Sequence, residues 1–168
     1  MQEKHLYEYA VIRVVPRVER EEFLNVGIIL FSKKAKFIKV LYSINEAKLR
    51  LFSDDLDVEQ LHLNVQAFAK VAHGEKSGGP IGQFDIPSRF RWLTALRSSA
   101  IQTSRPHPGL CDDLDQTTQR LFEEMVLSLS EKKKFLKSHF RQITLCSESM
   151  QGCNIYLFIY LFSKISTN

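Results

Sequence analysis

Two apolar runs near the start of the chain flank a polar, charged connection, PRVEREE (16–22). Residues 6–15 (LYEYAVIRVV) are rich in Val, Ile and Tyr and read as a strand. Both faces are apolar around Tyr9 to Ile12, which places the strand in the middle of its sheet. Residues 23–31 (FLNVGIILF) read as a second strand. Period two sets Leu24, Val26, Ile28 and Leu30 on one face and Phe23, Asn25, Gly27, Ile29 and Phe31 on the other. A polar turn, SKKAK, leads to a third strand over 37–42, and an antiparallel meander is the simplest connection.

The period then changes. A short helix is predicted over 45–52 and a longer one over 57–72, with Val58, Leu61, Val65, Phe68 and Val71 on one stripe. Asp57 followed by Gln60 has the spacing of a cap. The glycine-rich segment 73–82 reads as a loop, 87–96 as a short helix, 98–104 as a fourth strand, and RPHPGLCDD (105–113) as a proline-punctuated loop. Leu114, Leu121, Phe122, Met125 and Leu129 mark a last amphipathic helix, with Asp113 at its N-cap. These elements predict an α+β domain: a three- or four-stranded, mostly antiparallel sheet with about three helices packed on one face.

The net charge of +4 does not belong to this domain. Residues 1–130 hold 17 Lys/Arg and 17 Asp/Glu, whereas residues 131–168 hold 6 and 2. The tail is atypical in another way. Phe, Ile, Lys, Asn and Tyr make up 17 of its 38 residues, against 30 of the 130 before it. The expected division is therefore a single domain over 1–130 and a basic, apolar extension over 131–168. Read-through or frameshifted sequence, or a lineage-specific extension, is one origin for it. An ordinary helix (131–141) with a final strand (155–162) is the plain alternative. The longest apolar run, Ile155 to Phe162, is too short to span a bilayer. Three cysteines without a CxxC pair, and no basic-then-apolar leader, suit a reducing cytoplasm.

Two blocks, YEYAVIRVVPRVEREEFLNVGIILF (7–31) and GGPIGQFDIPSRFRWLTALRSSAIQTSRPHPGLCDD (78–113), resemble an uncharacterised bacterial family catalogued as domain of unknown function 3037. The similarity covers roughly residues 5–128. The family lends no catalytic residues. Its genes often lie near a toxin-type serine/threonine kinase, so the resemblance implies a kinase-linked protein partner.

The candidate chemistry is dispersed. Arg13 sits inside a strand between Ile12 and Val14, where a partly buried guanidinium needs a partner such as Glu22. Arg17 and Glu22 belong to the charged connection, which is either an anion-binding loop or a solvated hairpin turn. Asn25 and Gly27 interrupt an apolar strand, where glycine marks a bulge or a close approach. His107, Cys111 and Asp112 have too few companions for a structural zinc site. The Lys76-Ser77-Gly78-Gly79 order does not match a phosphate-binding loop. Trp92 with Arg97 and Gln102 suggests an aromatic anchor for a protein, or a stacking platform for nucleic acid. No metal and no cofactor are expected. The leading expectation is a small interaction or regulatory module. The alternatives are an enzyme for a phosphorylated or nucleotide substrate, with Arg13, Arg17, Arg97 and His107 converging, and a nucleic-acid binder.

Overall fold

A computed structural model describes residues 4–53, 56–128 and 131. The helix and strand expected within 131–168 thus lie outside the described residues. One compact unit covers residues 1–127, and residues 128–168 form a second.

The first unit is built on a meander. Strands β1 (His5–Val14), β2 (Leu24–Ser32) and β3 (Phe37–Tyr42) pair antiparallel in the order β3-β2-β1. Helix α1 (Glu46–Phe52) follows, capped by Asn45. Helix α2 (Val58–His73) is capped by Asp57, whose Oδ1 accepts the Gln60 N–H at 2.9 Å. The glycine-rich segment then holds a 3-10 turn and a one-turn helix, α3 (Gly79–Gly82). Helix α4 is Ile86–Leu93, and α5 is Leu114–Met125, with Asp113 accepting the Gln116 N–H at 2.9 Å.

The fourth position of the sheet is split. Strand β4 (Ile101–Thr103) pairs with Ile12 to Val14, and β5 (His107–Cys111) pairs with His5 to Tyr9. Both lie antiparallel along β1. The segment read as a proline-punctuated loop is therefore mostly strand, and the sheet has five strands among the described residues. Ser104 sustains the ladder at the break. Its Oγ accepts the Val11 N–H at 2.9 Å and its own N–H donates to the Val11 carbonyl at 2.8 Å, so the buried amide of β1 keeps a partner where the strand stops.

Helices cover both faces. Ala10, Ile12 and Val14 of β1, with Ile29 and Phe31 of β2, pack against Leu49 of α1, Leu61 and Val65 of α2, and Phe90 and Leu93 of α4. Three helices thus share one face, as expected from the sequence. The amphipathic α5 covers the other: Asn25 Nδ2 donates to the Met125 carbonyl at 3.1 Å, and Lys39 of β3 pairs with Asp115. Period-two counting does not survive intact across β2. Ile12 pairs with Gly27, but Arg13 pairs with Asn25, so β2 carries one extra residue, Val26. This bulge places Gly27 on the α1/α2/α4 face and Asn25 on the α5 face. Expected on one face, the two residues point opposite ways.

Gly27 is there because the sheet is tight. A Cβ would stand 2.8 Å from the Leu41 carbonyl oxygen and 3.0 Å from Tyr42 Cβ. Gly27→Ala is expected to cost about 1–3 kcal/mol, because β3 backbone must move to admit the methyl group. A urea midpoint unchanged from wild type would refute that account. Gly74 ends α2 at φ 73°, a conformation that costs glycine nothing. The Arg89 guanidinium occupies the space where a Cβ at 74 would lie, which joins the end of α2 to α4. Arg89 is itself buried, and its Nε has no hydrogen-bond partner among the described residues.

Candidate functional site

Trp92, Arg97 and Gln102 are brought together. Helix α4 turns its buried side, Phe90 and Leu93, into the core and leaves Trp92 40% exposed. The chain reverses after Leu93, and the Arg97 guanidinium returns to lie 3.7 Å from the centre of the Trp92 indole. Arg97 also donates to the Trp92 carbonyl. This cation–π stack fixes two otherwise mobile side chains on the rim of a cleft of about 310 Å³. One wall is α2, through Asn64, Ala67, Phe68 and Val71. The other is β4 with the residues leading into it, Ala95, Ser99 and Ala100. Arg97 is the charged residue of the lining, and no carboxylate lines it. The cleft is thus apolar along its walls and cationic at its rim.

The remaining candidates stand elsewhere. Arg13 lies on the α5 face, with its guanidinium 4.0 Å from the centre of the Phe23 ring. Glu22, expected as its partner, pairs instead with Arg20 at 2.7 Å. Arg13 Nε and Asn25 Oδ1, on paired residues, have no hydrogen-bond partners among the described residues. Arg17, Arg20 and Glu22 line a separate cleft of about 250 Å³ with Pro16, Leu51 and Phe52. His107 rests against Tyr9, their rings 5.4 Å apart. His107 and Cys111 sit four residues apart on β5, roughly 13 Å at the rise of an extended strand, too far to share one metal ion. Asp112 is an exposed residue between β5 and the cap of α5. No group of three or more His, Cys, Asp or Glu among the described residues is placed to hold a metal ion.

Tyr7 lies next along this face of β1, and its surroundings shift its titration. Burial pushes its phenol above the ordinary 10.0, and the nearby Arg120 guanidinium opposes the change. The folded chain holds this proton more tightly than the unfolded chain does. The resulting stability is complete below about pH 10 and is lost as pH rises through the unfolded and then the folded pKa. Melting temperature is expected to fall more steeply above pH 10 in wild type than in Tyr7→Phe. Parallel curves would show that burial of Tyr7 has no such linkage.

The Trp92 cleft was readable in the sequence only in part. The pairing of Trp92 with Arg97 and Gln102 follows from short spacing along the chain. The α2 wall does not, because Phe68 and Val71 fit the helical stripe that sequence assigns to the core.

These features define an α+β domain with helices on both faces of an antiparallel sheet and an apolar cleft at one sheet edge. The chain belongs to the family described as "Protein of unknown function (DUF3037)", whose model matches residues 9–126. No curated protein and no solved structure matches the chain. No helix among the described residues is long and apolar enough to cross a membrane.

Proposed function

We propose that this domain is a protein-interaction module of the bacterial cytoplasm, and that the cleft between α2 and β4 is its docking surface. The observation that carries this reading is the Trp92–Arg97 stack on the rim of an apolar cleft. A half-exposed tryptophan held rigid beside an arginine is the composition of an interaction hot spot, because little side-chain entropy is left to lose on binding. The cleft's single charge sign selects a partner segment that is apolar and bears a carboxylate. The enzyme alternative required Arg13, Arg17, Arg97 and His107 to converge. Each instead has its own surroundings: Phe23, the Arg20–Glu22 cleft, Trp92 and Tyr9. The family resemblance nominates the partner, a serine/threonine kinase of the toxin type near which genes of the family often lie.

Co-expression of the full chain with that kinase, followed by affinity purification and size-exclusion chromatography, tests the proposal. A complex that forms with wild type and is lost with Trp92→Ala and Arg97→Glu supports it. No complex removes the kinase as partner. A complex indifferent to both substitutions removes the cleft.

A further inference from the structure

We infer that the partner segment is held as an extended strand added to β4. This rests on the cleft being the docking surface and specifies how it would be occupied.

The argument begins with the hydrogen-bond register. The Val15 N–H donates to the Ala100 carbonyl, and the Ser104 N–H donates to the Val11 carbonyl, both at 2.8 Å. Bonded pairs alternate along an antiparallel ladder. Gln102, midway between, therefore exchanges its bonds with Arg13, and the backbone groups of Ile101 and Thr103 point away from β1. The Ile101 carbonyl is taken by the Ser99 hydroxyl. The Ile101 N–H and both backbone groups of Thr103 face the cleft side without a strand partner among the described residues. Thr103 is 8% exposed, lines the cleft, and its Oγ1 also lacks a partner. The Thr103 Oγ1 is buried, and an unpaired hydroxyl there is costly.

An occupant must answer these groups as well as the apolar wall. A helix bonds its own amides internally and would leave them unpaired. An extended segment supplies a carbonyl and an N–H at alternate residues, and places every second side chain against Phe68 and Val71. A carboxylate on that segment meets Arg97. The same edge is closed further along: Pro106 precedes β5, and Pro108 within it has no N–H to offer. Strand addition is thus confined to β4, which bounds the paired segment to a few residues.

A phage-displayed random-peptide library panned on the full chain, with counter-selection on Trp92→Ala, supplies the probe. The expected peptides carry alternating apolar residues and at least one carboxylate. N-methylation at every second backbone amide should weaken their binding about tenfold, and the intervening positions should tolerate it. Bound peptide should slow exchange of the Ile101 and Thr103 amides. Thr103→Pro removes an outward N–H without breaking a bond to β1, so it should weaken binding about tenfold. The N-methyl scan keeps the question answerable if that variant does not fold. Peptides that need Trp92 but bind as helices, or tolerate N-methylation throughout, overturn strand addition and leave the docking cleft standing. Self-association of the full chain that is lost in Thr103→Pro assigns β4 to a second copy and overturns the foreign partner. Recovery of no peptide, or only of peptides that bind Trp92→Ala equally, overturns the cleft itself.

Discussion

Phe90→Ala is expected to cost the domain about 3–5 kcal/mol, enough to leave little of a typical stability of roughly 5–15 kcal/mol. Phe90 is among the largest fully buried side chains and stacks on Phe31 of β2, ring centres 4.8 Å apart. It therefore ties α4 to the middle of the sheet. Its loss removes the transfer energy of the ring, the stacking contact, and the packing that holds α4 and the cleft behind it. Nothing near it can collapse easily. Phe31 is fixed in the β2 ladder, and Arg89, the preceding residue, is wedged over Gly74. Urea denaturation followed by far-UV circular dichroism checks this. A loss below about 1 kcal/mol would mean that the core repacks and that α4 is not held through Phe90.

Trp92→Ala, two residues further along the same helix, is expected to do the opposite. Its indole is 40% exposed and stacks with Arg97 on the cleft rim, so unfolding stability should change by less than about 1 kcal/mol. Binding of the proposed partner at the cleft should instead weaken by roughly 30-fold or more, the scale of a hot-spot truncation. Loss of the indole removes apolar contact area and also releases Arg97 from its stacked position. Calorimetric titration with the kinase, or with a selected peptide, measures this. Unchanged affinity would show that Trp92 is an ordinary surface residue. The contrast between positions 90 and 92 separates the helix's structural side from its exposed side within a single turn.

Much of this fold was legible because the early strands are apolar runs rich in Val and Ile, split by a charged connection, and the helices announce themselves with caps. Asp57 and Asp113 do what their spacing predicts. What sequence could not show has particular causes. Prolines at 106 and 108 disguise β5, since such residues read as punctuation even though an edge strand accommodates them. The amphipathic stripe of α5 says that one side is buried but not which face of the sheet receives it. The bulge at Val26 is invisible to periodicity, because a run apolar on both sides gives no sign of a slipped count. The charges told least. Arg13 finds an aromatic ring where a carboxylate was expected, and the α2 wall of the Trp92 cleft, Phe68 and Val71, belongs to the stripe that sequence assigns to the core.

The bulge has a meaning for descent. In a regular strand, losing one residue inverts everything beyond it. In β2 the extra residue is already accommodated, so a chain lacking Val26 would keep Leu24 opposite Val14, Asn25 opposite Arg13 and Gly27 opposite Ile12. Among the positions of that strand, 26 is where a lineage can shorten its hairpin without inverting it. Comparison of family members should find single-residue gaps there and not at the flanking positions.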